Sequence, residues 1–322
     1  MKKMNLTGSG GRWLVFSNGV LGHTLYALPA LQALKDMYPG AYVNLIADNA
    51  SAELVAASSL VDKVTIFDRK KDSFWRQLEI VKMLRRDKYD VSIHFRSGVR
   101  NEQLAFLGGV KERYGNKLKG SLQFVNHICS DVSDVHVLKK RENFIRQVLG
   151  TDVILSPPSM HHDPEGTAEA EKALRVNGLE VGKFVVLHPA GKTFGGMKWS
   201  LEHWAGVVEK VAKHTPVVVV CADFERDEVS SAVNGDNVFH LSGSVGFLSE
   251  LIYRCGWFLG NDSAPAHLAD AWKRPRVLIY PDGDKEYTKW SPLYLENCTV
   301  IRKYEFMDQG LDEPLEWLFA QC

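Results

Sequence analysis

A polar turn between an apolar run and a helical pattern carries the residues with the clearest chemistry. The turn is 260–263, and Pro265 is placed for the first turn of the helix that follows. A helix start presents unpaired backbone N–H groups and a positive dipole end, which bind phosphate. We therefore predict a phosphate or diphosphate site here, where Asp262 and His267 could contact sugar hydroxyls. The alternative is that Asp262 or Ser263 only caps the helix.

A second loop, residues 188–199, is rich in glycine and lysine and also precedes a helical pattern. Its Lys192 or Lys198 could neutralise a leaving diphosphate, unless the loop is an ordinary solvated surface. Acidic residues follow the next apolar run, 217–221. Among them Glu225 could hold ribose hydroxyls, or serve only as an acid favoured by a helix N-terminus.

A third loop, residues 19–24, contains two glycines that allow close approach of a ligand or of backbone. His23 is the titratable group in this turn, and a pKa of about 6.5 suits a general base near neutral pH. A structural or solvated histidine is the alternative. Thr24 is predicted to be the N-cap of the next helix. The G-x-x-G spacing lacks the dinucleotide fingerprint, which disfavours a nicotinamide oxidoreductase.

These loops follow apolar strands that alternate with helical patterns along the whole chain. The strands are predicted at 12–17, 41–47, 64–67, 91–95, 184–188, 217–221, 257–259 and 276–280. Such alternation predicts an α/β fold with parallel, doubly wound sheets. A polar, proline-bearing linker after residue 155 separates two domains, 1–157 and 158–322. We expect ligands in the cleft between them, at the carboxyl ends of the strands.

Composition supports two domains and excludes several classes of protein. The chain has 322 residues, 45% of them hydrophobic, and zero net charge, so no nucleic-acid partner is expected. The halves differ: residues 1–155 carry 23 basic and 15 acidic residues, and 156–322 carry 16 and 24. Five dispersed cysteines favour a reducing cytosol over a zinc site or disulfides. No segment resembles a membrane span or a secretory signal.

Taken together, the motifs resemble glycosyltransferase family 9, the heptosyltransferases of lipopolysaccharide core synthesis and their relatives. The resemblance covers nearly the whole chain in the family's order and spacing, and its C-terminal motif is the most specific. The matching segments are GVLG at 19–22 with PAL at 29–31, HPAG at 188–191, KW at 198–199 with EHW at 202–204, LSG at 241–243, and GNDSAPAHL at 260–268.

The resemblance implies a GT-B fold, in which two Rossmann-like doubly wound domains face a central cleft. The N-terminal domain would bind the acceptor and the C-terminal domain the nucleotide sugar, and the last helix would pack back on the N-terminal domain. It implies an inverting, metal-independent glycosyltransferase without a cofactor, which moves heptose from ADP-heptose to a lipopolysaccharide-core or related glycan. An anionic saccharide or glycolipid acceptor would suit the basic N-terminal half.

A cytoplasmic enzyme with peripheral contact at the inner membrane is expected. Phe74, Trp75 and Arg76 could make that contact, although a buried amphipathic helix accounts for them equally well.

The resemblance also assigns roles to individual residues. Lys198 would stabilise the diphosphate leaving group, and Asp262 would act in catalysis beside His23. The acceptor-side loop would include Gly19, Gly22 and Thr24. The residues expected to bind the donor are Gly191, Lys192, Thr193, Glu225, Ser263, Ala264, Pro265, Ala266 and His267.

One departure from the family pattern affects the mechanism. The family usually has Gly-Asp after the first glycine turn, and that aspartate is taken as the base, whereas this chain has Gly22-His23. A histidine can accept a proton, but a neutral imidazole cannot supply the negative charge of a carboxylate. Three interpretations stay open: His23 is the base, another carboxylate has taken over, or the acceptor differs. A non-catalytic nucleotide-sugar-binding relative and a GT-B-type sugar-nucleotide epimerase are further alternatives.

Overall fold

A computed structural model gives the fold and describes residue 6 and residues 10–19, 21–68, 71–118, 122–189, 199–280 and 284–302. Its contacts divide the chain into two compact units, Met1–Pro158 and Ser159–Cys322. The division falls inside the polar, proline-bearing linker. The last helix, which was expected to pack back on the N-terminal domain, lies outside the described residues. The lysines and glycines of residues 190–198 also lie outside them.

The N-terminal unit is built around one parallel sheet. Its strands are β1 (Arg12–Phe16), β2 (Tyr42–Ala47), β3 (Lys63–Ile66), β4 (Val91–His94), β5 (Glu112–Asn116) and β6 (His127–Cys129). Its helices are α1 (Leu21–Leu25), α2 (Leu28–Met37), α3 (Asn49–Val55), α4 (Phe74–Asp87), α5 (Val99–Leu107) and α6 (Val137–Leu149). The strand order is β3-β2-β1-β4-β5-β6, with every pairing parallel.

The C-terminal unit repeats this plan. Its strands are β7 (Val185–His188), β8 (Val217–Val219), β9 (Val238–His240), β10 (Trp257–Asn261), β11 (Arg276–Tyr280) and β12 (Cys298–Arg302). Its helices are α7 (Pro164–Val176), α8 (Leu201–Val211), a short 3₁₀ helix (Asp223–Glu225), α9 (Arg226–Ala232), α10 (Val245–Arg254), α11 (Ala264–Ala271) and α12 (Asp284–Trp290). The strands are parallel in the order β12-β11-β10-β7-β8-β9.

Both strand orders are the Rossmann order, which fixes where a ligand can bind. In each sheet the chain first builds outward from a central strand and then returns to build on its other side. The reversal lies between β1 and β4 in the first sheet and between β7 and β10 in the second. Loops leave these neighbouring strands in opposite directions, so a crevice opens at their carboxyl ends.

The central strands are buried on both faces, which explains their near-continuous apolar sequences. Leu14 and Phe16 of β1 pack with Ile80 and Leu84 of α4. In the second sheet, Val185 and Leu187 of β7 belong to a core cluster that includes residues of α8. These packed layers hold the carboxyl ends of the central strands, and the loops that follow them, in fixed positions.

The α/β, doubly wound prediction is confirmed, whereas four strands were missed. Strands β5, β6, β9 and β12 were not predicted, because they are short or lack an apolar run; β5, for example, reads ERYGN. Across the described ranges, no helix is long and apolar enough to cross a membrane.

Two local predictions are wrong. Thr24 is not an N-cap, because it lies within α1 and its hydroxyl contacts the backbone oxygen of Ser17 at 2.7 Å. Gly260 and Asn261 are not part of a turn, because they continue β10 and pair with β11. The helix therefore begins directly after the strand, with two residues, Asp262 and Ser263, between them.

Candidate active site

The carboxyl ends of β7 and β10 are joined by a buried side chain. Asn261, 2% exposed, donates a hydrogen bond from its Nδ2 to the backbone oxygen of Pro189 at 2.8 Å. A Cβ atom at Gly260 would lie 2.9 Å from the backbone oxygen of His188, so the close approach of the two strands requires glycine. Asn261 belongs to the GNDSAPAHL motif but was not predicted as a site residue. A polar side chain at the end of an apolar strand is the sequence feature that could have identified it.

Ser263 precedes α11 and does not act as an ordinary cap. It occupies the N-cap position, yet its side chain makes no capping hydrogen bond. Its Oγ is buried and has no hydrogen-bond partner in the part of the chain that the structure describes. The first N–H groups of α11 have no acceptor within the helix, and Pro265 removes one of them. An unused hydroxyl therefore stands beside a helix N-terminus, as a phosphate site requires.

Asp262 and His267 lie together at the same turn, with different exposure. The Nε2 of His267 is 3.5 Å from Oδ1 of Asp262, and the His267 ring packs beside Trp290 with ring centroids 5.4 Å apart. His267 is 6% exposed, whereas the Asp262 side chain is 18% exposed. The buried histidine is thus placed to orient the carboxylate, and Asp262 is the better placed of the two for contact with a ligand.

Glu225 lies at the neighbouring strand end, in the 3₁₀ helix after β8. Its Oε2 accepts a hydrogen bond from the Ala222 N–H at 3.4 Å, and the residue is buried. The next residue, Arg226, donates to Asp223 Oδ1 at 2.6 Å and to Ser242 Oγ at 2.5 Å. This arginine ties the β8 loop to the LSG segment after β9, so both segments lie at the carboxyl edge of the sheet.

Three predicted donor-binding residues, Gly191, Lys192 and Thr193, and the predicted catalytic Lys198 lie outside the described residues. Both flanks of their loop are anchored. Pro189 accepts the Asn261 hydrogen bond, and the buried Trp199 packs against Trp204 with ring centroids 5.0 Å apart. The roles of the four residues stay predictions.

In the N-terminal unit, the loop after β1 is packed against two charged side chains. Gly19 has φ +122°, a conformation that L side chains rarely adopt. Its N–H donates to Oδ2 of Asp48 at 2.5 Å, and a Cβ atom here would lie 2.6 Å from Nη1 of Arg96. Arg96 follows β4 and Gly19 follows β1. The Arg96 guanidinium therefore lies at the carboxyl ends of the two strands between which the strand order reverses.

His23 contacts a buried arginine. Nη2 of Arg141, on α6, lies 3.2 Å from Nδ1 of His23, and Nη1 of Arg141 donates to the backbone oxygen of Phe95 at 2.7 Å. Burial lowers the pKa of Arg141 to about 10, so the guanidinium stays charged at neutral pH. The histidine therefore lies beside a buried, positively charged side chain.

The other residues of this loop are structural supports. Gly22 and Thr24 are buried in α1, and the Thr24 hydroxyl also lies 3.0 Å from Ser51 Oγ of α3. Asn18 and Asn101 bond to each other, with Asn101 Nδ2 donating to Asn18 Oδ1 at 2.8 Å. The asparagine pair joins the β1 loop to α5 and was missed, because the two residues are far apart in sequence.

No group of three or more His, Cys, Asp or Glu side chains within the described ranges could hold a metal ion. A cavity of about 350 Å³ opens at the amino ends of β7, β8 and β10, among Lys183, Pro216 and Trp257. It lies at the edge of the sheet opposite the loops described above, so we do not assign it to the candidate site.

Comparison with known proteins identifies the family. Residues 77–310 match the model of glycosyltransferase family 9 (heptosyltransferase). The chain is 22% identical over 320 residues to lipooligosaccharide heptosyltransferase 2 of Haemophilus influenzae, covering 94% of this chain and 89% of that protein. It is also 22% identical over 319 residues to the photosynthetic NDH subunit of subcomplex B 1, chloroplastic, of Arabidopsis thaliana, covering 89% and 68% respectively.

A solved structure shows the same fold. The structure of E. coli ADP-heptose lps heptosyltransferase II matches with a TM-score of 0.77 at 16% identity, over 96% of this chain and 98% of that one. The two doubly wound units and this likeness confirm the GT-B fold class. The family model extends over most of the chain, and the LSG and GNDSAPAHL segments stand at the carboxyl ends of β9 and β10. The chain therefore belongs to glycosyltransferase family 9, the heptosyltransferases.

Proposed function

We propose that the protein transfers heptose from ADP-heptose to a lipopolysaccharide-core or related anionic glycan, with inversion at the anomeric carbon and without a metal ion. Family membership supports glycosyl transfer, and the names of the relatives support this donor and this kind of acceptor. The observation that carries the proposal is the built turn at the start of α11, where Ser263 Oγ is buried and unused beside Asp262.

The C-terminal unit would bind the donor. The diphosphate would lie against the N–H groups of the first turn of α11 and the hydroxyl of Ser263, with Lys198 neutralising its charge. Asp262, oriented by His267, would accept hydrogen bonds from sugar hydroxyls, and Glu225 would do the same for the ribose. Stabilisation of the leaving group is the largest contribution, and one such contact lowers the barrier by about 3 kcal/mol.

The reaction has a simple balance of atoms and electrons. The acceptor hydroxyl oxygen forms a bond to the anomeric carbon while the bond between that carbon and the diphosphate oxygen breaks. The electron pair of the broken bond leaves with ADP, and the hydroxyl proton passes to a base on the N-terminal unit. Two groups at the β1 and β2 strand ends are candidates for this base: His23, and the carboxylate of Asp48, which is bound to the Gly19 N–H.

Thermal unfolding of the purified protein with ADP-heptose, ADP, and GDP-, UDP- and CDP-sugars tests the donor site. ADP-heptose should raise the Tm of the wild type, because it binds only the folded state. Ser263→Ala and Lys198→Ala should reduce this shift, whereas Asp236→Asn, an exposed aspartate before β9, should not. The proposal is wrong if no diphosphate sugar raises the Tm of the wild type.

A second candidate function is nucleotide-sugar binding without transfer. His23 replaces the expected aspartate, and one relative of similar identity is a photosynthetic NDH subunit. This candidate predicts the same thermal shift with ADP-heptose but no release of ADP when a lipopolysaccharide-core acceptor is added. Release of ADP that depends on the acceptor would exclude it.

We also propose that α4 contacts an anionic membrane surface. Phe74 and Trp75 are 70% and 71% exposed, whereas Ile80 and Leu84 of the same helix are buried. Burial in a protein core therefore does not account for the two aromatic residues. The neighbouring Arg76 is also exposed, which gives the start of α4 the aromatic and basic character of an interfacial segment.

A further inference from the structure

The contact between His23 and Arg141 fixes where the imidazole carries its proton. Nη2 of Arg141 faces Nδ1 of His23 at 3.2 Å. A guanidinium group has only N–H donors and no acceptor, so the ring nitrogen that faces it must offer a lone pair. A neutral imidazole carries one N–H group. The proton of His23 therefore lies on Nε2.

Arg141 is held firmly in the position that imposes this tautomer. Its side chain is 7% exposed, its Nη1 donates to the backbone oxygen of Phe95 at 2.7 Å, and its Cζ lies 5.0 Å from the centre of the Phe95 ring. Phe95 directly follows β4, so the guanidinium is fixed from the strand at which the sheet order reverses. Two charged groups act on Arg141 in addition: Asp131, of opposite sign, and Arg96, of the same sign.

A general base needs a lone pair that can take a proton, and neither nitrogen of His23 offers one in this arrangement. Nε2 already carries the proton. Protonation at Nδ1 would break the hydrogen bond from Arg141 and place a second cation against the buried guanidinium, which is unfavourable. The aspartate that the family usually carries at this position would instead present a negative charge.

We propose that Arg141 holds His23 as an Nε2–H donor, and that His23 binds an oxygen of the acceptor, preferably an anionic one, and is not the base. The assignment of the tautomer does not depend on the proposed function. The role of His23 toward the acceptor does rest on the proposed function. The acceptor proton would then pass to the other candidate, Asp48. His23 and Arg141 would together select an acceptor that carries a carboxylate or phosphate near the reacting hydroxyl.

Nitrogen NMR of the full chain labelled with ¹⁵N-histidine tests the tautomer. In a two-bond ¹H–¹⁵N correlation at neutral pH, the ring assigned to His23 by its loss in His23→Gln should show a protonated Nε2 and a bare Nδ1. A protonated Nδ1, or an equal mixture of tautomers, would overturn the proposal. Arg141→Met should shift the His23 ring toward a mixture of the two tautomers, whereas Arg141→Lys, which keeps a positively charged donor, serves as the control. The wild-type spectrum decides the question even if these variants fold poorly.

Transfer of heptose from ADP-heptose to a lipopolysaccharide-core acceptor tests whether His23 acts as a hydrogen-bond donor toward the acceptor. The amide nitrogen of glutamine replaces Nε2 as a donor, so His23→Gln should retain activity to within about tenfold, while His23→Ala should lose about 10²-fold. A base would instead lose about 10²–10⁴-fold in both variants, and that result would overturn the proposal. Absence of transfer by the wild type would refute the proposed function, while the spectrum would still decide the tautomer.

Discussion

Asn261 on β10 donates a hydrogen bond to the backbone oxygen of Pro189 after β7, at 2.8 Å, and so joins the two strands between which the C-terminal sheet reverses its order. This bond fixes Pro189, near the start of the loop predicted to bind the donor, relative to the turn that begins α11. The two halves of the proposed phosphate site thus share one buried side chain.

Replacement of Asn261 by alanine should affect stability and donor binding together. The variant leaves the oxygen of Pro189 without its donor, at a cost of about 1–3 kcal/mol in the free energy of unfolding. It should also reduce the Tm shift caused by ADP-heptose, because the start of the loop is released. Urea denaturation measures the first effect. Asn49→Ala, at an exposed asparagine at the start of α3, is the control and should change stability by less than about 0.5 kcal/mol. An unchanged thermal shift in Asn261→Ala would show that this bond does not organise the donor site.

Asp48→Asn separates a catalytic role from a structural one. Asp48 accepts the Ser51 N–H at 2.9 Å as the N-cap of α3, and asparagine caps a helix about equally well. The cap on Ser51 is kept, but the amide nitrogen of asparagine cannot accept the Gly19 N–H, so we expect the free energy of unfolding to fall by about 1 kcal/mol for this lost hydrogen bond. If Asp48 takes the acceptor proton, kcat should fall by about 10²–10⁴-fold, because an amide cannot accept it. Steady-state kinetics with ADP-heptose measure this. A kcat within a few fold of the wild type would exclude Asp48 as the base.

His94 should make the protein less stable in mild acid. Burial, followed by the positive charge of Arg113, lowers the pKa of His94 from 6.5 to about 3. The unfolded chain therefore takes up a proton that the folded protein does not. The stabilisation is complete above pH 6.5 and is lost progressively as the pH falls toward 3, by at most about 1.4 kcal/mol per pH unit.

The variant Ser92→Ala/His94→Phe should remove this contribution to the pH dependence. The His94 ring stacks on Phe16 with centroids 4.4 Å apart and contacts Ser92 Oγ at 3.1 Å, so phenylalanine can fill its place once the serine is removed. Ser92→Ala alone is the control and should keep the acid slope. Urea denaturation between pH 4 and pH 8 measures both. An identical slope in the double variant would mean that His94 does not cause the loss of stability.

Removal of the exposed aromatic residues of α4 should weaken membrane binding. Phe74→Ser and Trp75→Ser should each lower the partition onto phosphatidylglycerol vesicles by about tenfold, because each side chain would bury apolar area in the interface. Val176→Ser, at an exposed apolar residue of α7, should have no effect. Vesicle co-sedimentation measures binding, with neutral phosphatidylcholine vesicles for comparison. Equal binding by the wild type and by both variants would refute the proposed contact.

The sequence alone determined the fold class and the positions of the principal loops. Strand and helix patterns are local, since each depends on the spacing of apolar residues within a short segment of the chain. The central strands carry strong patterns because they are buried on both faces. The turn before α11 was also found locally, from Asp262 and Ser263 to Pro265. Strands β5, β6, β9 and β12 were missed because their apolar runs are short or absent, and the sequence ERYGN of β5 illustrates this.

Only the tertiary structure decided which side chains meet. Asn261 and Pro189 are 72 positions apart, Asn18 and Asn101 are 83 apart, and His23 and Arg141 are 118 apart. Their contacts depend on strand order, which packing of the whole sheet sets and which no local pattern encodes. For that reason the sequence could name His23 as a titratable group in a loop, but the arginine that fixes its proton became visible only once α6 was placed against the end of β4.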